Sequence, residues 1–289
     1  MPIIREQVAG AAPPGGRADG PFVRRVIQGV EYHQTRTAEG GDLFLTRFGL
    51  PFAAHLQPDN WLPAPWFDAH RRRLRGTSAI YLTQTKPVAG RGLNIVVRFN
   101  RVGEDLPVDT ATHTRYTHAA FNSPFEEVAM LTALRGARVG PERRRIPTKR
   151  PLAIYSPPTR LQLWQTGRSE SQIAAKQARL PEIRLDILRA YILVYGWVKG
   201  VDAQEAADHF GVGGATREAL LAGALAEVEQ DLRSAGFCVL DMKPAHIIVR
   251  FTPDGRLVRR RDGRLVYALV DYELLEPIAD EAAGADALK

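Results

Sequence analysis

Two short segments constrain this chain more than any other feature. The first, Asp241-Met242-Lys243-Pro244-Ala245-His246, runs D-x-K-P-x-H into the apolar strand Ile247-Ile248-Val249. The second, Leu269-Val270-Asp271-Tyr272-Glu273, ends another apolar strand in D-Y-E. Pairing of the two strands puts a carboxylate at an end of each, with Lys243 beside the first. Phosphoryl transfer asks for little more: a positioned hydroxyl, an acceptor for its proton, and cations across the phosphate oxygens. Asp241 is suited to orient or deprotonate the hydroxyl, and Lys243 to place positive charge on the transferring group. Asp271 is suited to hold magnesium, since hard cations prefer carboxylate oxygen. His246 offers nitrogen, a poorer partner for that ion.

Taken singly, each motif has an ordinary alternative. D-x-K-P is common, and an aspartate after an apolar strand is usually a turn residue. Order and flanks carry the case. Ala219 to Gly236 reads as a helix, with Leu220, Leu221, Leu225, Val228 and Leu232 on one face. Thr216 is placed to cap its start and Gly236 to close its end. Asp254-Gly255 and Asp262-Gly263 divide Ile247 to Val270 into three short strands, with Arg259-Arg260-Arg261 between the turns.

A helix feeding a D-x-K-P loop, then strands ending in Asp, resembles the C-lobe order of the protein-kinase-like superfamily, whose pattern is D-x-K-P-x-N and D-F-G. His246 stands at the family's metal-binding asparagine, which implies a substitute magnesium ligand beside Asp271 or a group behind one, and Glu273 stands at its glycine. The resemblance continues upstream in the same order. Gly76-Thr77-Ser78-Ala79-Ile80-Tyr81 resembles the end of the phosphate-covering loop running into a strand, without the full G-x-G-x-x-G. Asn94 to Phe99 reads as a buried strand whose one cation, Arg98, replaces the family's lysine, a swap that is not conservative. Ser123 and Glu126 fit a capping box, and Pro124 suits the first turn. Glu127 is left as the helix glutamate that pairs with the strand cation, spaced to Leu131 and Leu134 as in E-x-x-x-L-x-x-L. The apolar run Ala190 to Val198 resembles the last N-lobe strand and the hinge, where the backbone of Trp197 and Val198 would meet the adenine.

Covering Arg75 to Glu273, the resemblance implies an α+β, two-lobed protein-kinase-like fold with an N-terminal extension and a shortened C-lobe. Residues 1–21, rich in Gly, Pro and Ala, form a mobile segment, and 22–70 the extension. Residues 71–195 form the N-lobe, with an insertion at about 140–189 in which Ser169 to Arg189 reads as one or two helices broken at Pro181. Residues 196–289 form the short C-lobe with the catalytic-type loop and an extended hairpin. The implied activity is transfer of the γ-phosphoryl of ATP, with magnesium, to an unidentified hydroxyl on a small molecule or protein. Only Tyr272 to Lys289 follows the last strand, too little for the activation loop and peptide-binding helices of a conventional protein kinase. The short tail, Arg98, His246 and the incomplete glycine loop equally motivate a pseudokinase, a module that binds nucleotide or a protein without turnover. Retention of Asp241, Lys243 and Asp271 favours the enzyme.

Composition agrees. A chain of 289 residues can bury a substantial core. Its single cysteine, Cys238, excludes an intramolecular disulfide and fits a reducing compartment. No apolar stretch approaches a membrane span, and no signal-peptide pattern opens the chain, so a cytoplasmic location is expected. The seven histidines, His113 and His118 among them, show no H-E-x-x-H pair. The net charge of +7 is concentrated in Arg71-Arg72-Arg73 with Arg75, and in Arg143-Arg144-Arg145 with Lys149-Arg150. Such runs meet nucleic acid, acidic lipid or a phosphorylated substrate, but more often they are solvated faces. Without the aromatic interleaving of single-strand binders, nucleic acid is not the expected partner.

Overall fold

The structure is a computed structural model that describes residues 22–75, 78–106, 119–211 and 213–278. Gly76, Thr77, His113, His118 and the segment 1–21 lie outside the described residues. The chain opens with three strands, β1 (Val23–Ile27), β2 (Val30–Arg36) and β3 (Asp42–Thr46), followed by short helices α1 (Ala53–Leu56) and α2 (Ala64–His70). Strands β4 (Arg72–Arg73), β5 (Ile80–Gln84) and β6 (Asn94–Phe99) lead to helix α3 (Pro124–Gly136) and strand β7 (Pro151–Ser156). Helices α4 (Leu163–Thr166) and α5 (Glu170–Ala178) precede β8 (Ile192–Gly196) and β9 (Val201–Asp202). Helices α6 (Ala203–His209) and α7 (Gly214–Ser234) are followed by β10 (Phe237–Val239), β11 (Ile247–Val249), β12 (Tyr267–Leu269) and β13 (Leu275–Pro277).

The architecture is mixed α+β on an eight-stranded antiparallel sheet of order β1-β2-β3-β7-β8-β6-β5-β4. Successive residues of a strand face opposite sides, and both sides are covered here. Val96, Ile154, Leu193 and Tyr195 pack with Phe125, Val128 and Leu131 of α3. Ile95, Val97, Ile192 and Val194 pack with Leu56 and Trp61 from the segment around α1. Double coverage explains why β7 and β8 read as unbroken apolar runs. The extension 22–70 joins the sheet through β3–β7 pairing. The span 140–189, expected as an insertion, supplies β7 in the middle of that sheet.

Beyond β8, β11 pairs with both β9 and β12, and β10 pairs with β13. Both Asp-Gly turns form, with Gly255 and Gly263 at φ of +80° and +81°. The bridges Phe251↔Leu257 and Arg259↔Leu265 join the segments between β11 and β12. Helix α7 starts earlier than expected: Gly213 is its N-cap and Thr216 lies inside the first turn. Gly236, at φ +79°, follows its end in the left-handed conformation that glycine favours. Helix α5 stops at Ala178, ahead of Pro181, and no second helix follows before Arg189.

One carboxylate ties α7 to the rest. Asp231 accepts two bonds from the Arg144 guanidinium, one at 2.6 Å. It also accepts from Arg264 at 2.8 Å and from the Tyr267 hydroxyl at 2.8 Å. Among the described residues no helix is long and apolar enough to cross a membrane.

Candidate functional site

Strand alternation turns Arg98 onto the α3 face of β6, between Ile80 of β5 and Leu193 of β8. The start of α3 is fixed by the sequence that precedes it. Ser123 Oγ accepts the Glu126 N–H at 3.2 Å, and Glu126 accepts the Ser123 N–H at 2.8 Å. This capping box holds Glu126 at the helix end and leaves Glu127 to face the sheet. Glu127, 0% exposed, pairs with the Arg98 guanidinium and accepts a hydrogen bond from the Tyr195 hydroxyl.

The D-Y-E segment is fastened to the same helix start. Asn122 donates its amide to the carbonyls of Tyr272 (3.2 Å) and Leu275 (2.9 Å), and its backbone N–H to that of Glu273 (2.9 Å). Tyr272 is fully buried, and its hydroxyl accepts the Lys149 N–H at 2.9 Å. The flanking carboxylates then both reach Arg98. Glu273 lies 2.8 Å from Nη1 and accepts the Ser78 hydroxyl. Asp271 lies 3.8 Å from Nη1, and its other oxygen stands 3.4 Å from His246 Nε2.

One guanidinium therefore faces three carboxylates. Burial disfavours the charge on Arg98, but Glu127 and Glu273 overcome it and raise its pKa well above the ordinary arginine value. Burial also opposes ionisation of Asp271; the facing His246, Arg98 and Lys149 prevail and hold its pKa at about 2. Glu273 goes the other way. Its burial outweighs Arg98, and with Asp271 nearby its pKa is pushed up to about 7.

Lys149 belongs to the cluster, although the sequence presents it as part of a basic run. It is 3% exposed, and its ammonium sits 4.4 Å from the Tyr195 ring centre and 5.5 Å from that of Tyr272. Burial, with Arg98 adding to it, lowers its pKa to about 8. The available signal was its place just before the apolar strand Pro151–Ser156. Glu273 and Asn122 are the other members that motif reading does not single out as site residues.

The structure thus brings together Ser78, Arg98, Glu127, His246 and Asp271. Asp241 and Lys243 pair with each other at 3.3 Å in the loop before His246. That loop joins the cluster through His246, whose carbonyl accepts the Val270 N–H at 3.0 Å. Trp197 and Val198 follow the end of β8, where the Trp197 N–H donates to the Asn94 carbonyl. Asn94 is four residues along β6 from Arg98, or ~13 Å of strand. Gly76 and Thr77 are outside the described residues. Among the described residues, no group of three His, Cys, Asp or Glu side chains is placed to hold a metal ion. A cavity of about 130 Å³ under α6 and α7, lined by Ala206, Leu220, Ala224, Val249 and Leu265, shares no residue with the charged cluster. No protein-family model matches the chain, and no curated protein matches it.

Proposed function

We propose that the protein is an atypical, kinase-like phosphotransferase, two-lobed in the manner of that superfamily, that moves the γ-phosphoryl of ATP to a hydroxyl acceptor. The observation that carries this reading is the meeting of Arg98, Glu127 and Asp271, contributed by a strand, a helix and a post-strand loop, in one cluster. A strand cation paired to a helix glutamate beside a metal-holding aspartate is the arrangement that phosphoryl transfer by kinases needs. In the reaction, the acceptor oxygen bonds to the γ-phosphorus as the bond to the β–γ bridging oxygen breaks. Asp241 takes the hydroxyl proton and ADP leaves. Lys243 neutralises charge on the transferring group, and Arg98 with Glu127 fixes the orientation of Asp271 and the phosphates.

Asp271 fits magnesium arriving with a nucleotide. It is ionised at neutral pH, its side chain is 30% exposed, and one carboxylate suffices when phosphates supply further oxygens. Bound there, the ion would neutralise phosphate charge. His246 faces the same carboxylate and is suited to orient it. Trp197 and Val198 would meet the adenine through their backbone.

A second reading, a pseudokinase that binds nucleotide or a protein without turnover, has one observation in its favour. Arg98 is already committed to three carboxylates, which leaves it less able to serve a phosphate. Thermal-shift measurement with millimolar ATP, with and without magnesium, tests the nucleotide site, because a ligand of the native state raises apparent stability. A magnesium-dependent shift in the wild type that is lost in Asp271→Asn is expected. The absence of any shift rejects the enzyme and the nucleotide-binding pseudokinase, and leaves a pseudokinase that binds a protein. ADP formation abolished by Asp241→Asn, with the shift retained, separates the enzyme from the pseudokinase.

A further inference from the structure

The basic run at Arg71 acquires in the folded chain the aromatic partners that its sequence lacks. Helix α2 packs on β5, and Phe67 meets Tyr81 edge-on at 5.4 Å. Arg71 lies over both rings at 5.2 Å, and Arg73 lies over Tyr81 at 5.2 Å. Arg73 is further held by the Ser78 carbonyl at 2.8 Å. Beside this row, Trp66 and His70 stack at 3.7 Å with their planes 14° apart. The indole N–H donates to the Gln84 carbonyl at 2.7 Å, and His70 Nδ1 lies 2.8 Å from the Trp66 carbonyl. The pair is therefore a fixed flat surface. It lines an open hollow of about 330 Å³ together with Pro63, Pro65 and Lys86. From Trp66 to Arg91 the chain carries Arg71, Arg72, Arg73, Arg75, Lys86 and Arg91 against Asp68 alone. Asp68 pairs with Arg71 at 2.8 Å.

We infer that this face binds single-stranded nucleic acid, with one base in the Trp66 hollow and the backbone along Arg71, Arg72 and Arg73. Stacking platforms beside a cationic track are how proteins hold single strands without reading sequence. A duplex keeps its base faces covered and gains nothing from the hollow. An anionic membrane would meet the charges, but among the described residues the large exposed apolar side chains are Val23, Val26, Leu163, Trp164 and Ile278, none of them on this face. The inference does not depend on the phosphoryl-transfer reading.

Fluorescence anisotropy of the full chain with a fluorescein-labelled oligothymidylate tests it, against a duplex of equal length and sedimentation with phosphatidylserine vesicles. The single strand should bind more tightly than the duplex. Its log affinity should fall linearly with log salt, by about 0.7 per phosphate contacted. Trp66→Ala should weaken binding about 5- to 150-fold, with Trp66→Phe restoring most of it. Arg72→Ala should lower the salt slope by about 0.7. Lys86→Gln, at a charged side chain that lines the hollow, should also weaken binding. Equal affinity for strand and duplex with Trp66→Ala silent would reduce the face to unspecific charge and overturn the inference. Vesicle binding without oligonucleotide binding, or an inert Lys86→Gln, would also overturn it.

Discussion

The Arg98 guanidinium and the Glu127 carboxylate pair in the interior, joining the centre of the sheet to the first turn of α3. Because Glu273 and Asp271 share the same guanidinium, Arg98→Met would leave three carboxylates short of the cation they share. Removing one partner of a buried pair costs about 3–5 kcal/mol. Urea unfolding should show a loss of that size. Arg98→Lys should recover only part of it, since a point charge cannot serve three partners as a fork does. A loss for Arg98→Met below about 1 kcal/mol would mean that the pair is not closed to water.

Glu273 gives the site an inverted acid dependence. Its pKa is raised from 4.5 to about 7 in the folded chain. Between those values the native state holds a proton that the unfolded state has released. Stability from this group is therefore full below about pH 4.5 and falls as pH rises through about 7. Asp271, lowered from 3.8 to about 2, acts oppositely: it stabilises above about pH 4 and loses this as pH falls towards 2. Unfolding free energies across pH 4–8 should fall less steeply in Glu273→Gln than in the wild type. Parallel profiles would refute the raised pKa.

Lys149 acts in the alkaline range. Its pKa drops from 10.5 to about 8 on folding, so the unfolded chain holds the extra proton between these values. Stability should accordingly rise with pH across that interval. Lys149→Met keeps the length of the chain and removes the charge. It should abolish the alkaline rise without lowering stability at neutral pH, measured by urea unfolding from pH 7.5 to 10.5.

Which parts of this were legible follows from the kind of signal each residue leaves. Asn94 to Phe99 matches β6 residue for residue, because a short apolar run with one cation is distinctive. The capping box Ser123–Glu126 correctly freed Glu127 to face Arg98, since cap chemistry is local. Lys149 was hidden because a lysine beside Arg150 looks solvated, and the rings that enclose it, Tyr195 and Tyr272, lie 46 and 123 residues further on. Thr216 misled because a hydroxyl at a helix start resembles a cap, whereas the helix already begins after an extended Gly213. Glu273 drew notice only as a replaced glycine; its contacts with Ser78 and Arg98 span 195 and 175 residues, beyond any local pattern.

The capping box should be measurable by itself. Ser123→Ala removes the acceptor for the Glu126 N–H and should cost about 1 kcal/mol in urea unfolding. Ser123→Asp keeps an acceptor and should restore most of the loss. Equal losses for the two variants would show that the cap does not hold α3.

The Asp231 cluster should behave as one unit. Asp231→Ala leaves two guanidinium groups short of a partner and should destabilise by about 3–5 kcal/mol. Arg144→Ala should cost much less in the Asp231→Ala background than alone, as expected for residues in one network. Additive losses would show that the contacts are independent.

The same cluster sets an order of assembly. Asp231 reaches Arg144 across 87 positions, Tyr267 across 36 and Arg264 across 33. A carboxylate that enters the interior before its guanidinium partners is strongly opposed. The 21-residue helix α7 is therefore expected to seat fully only with both the segment before β7 and the hairpin after β11 in place. Three stretches far apart along the chain thus share one buried carboxylate, and a chain cut before Arg264 would lack two of its four hydrogen bonds, those from Arg264 and Tyr267.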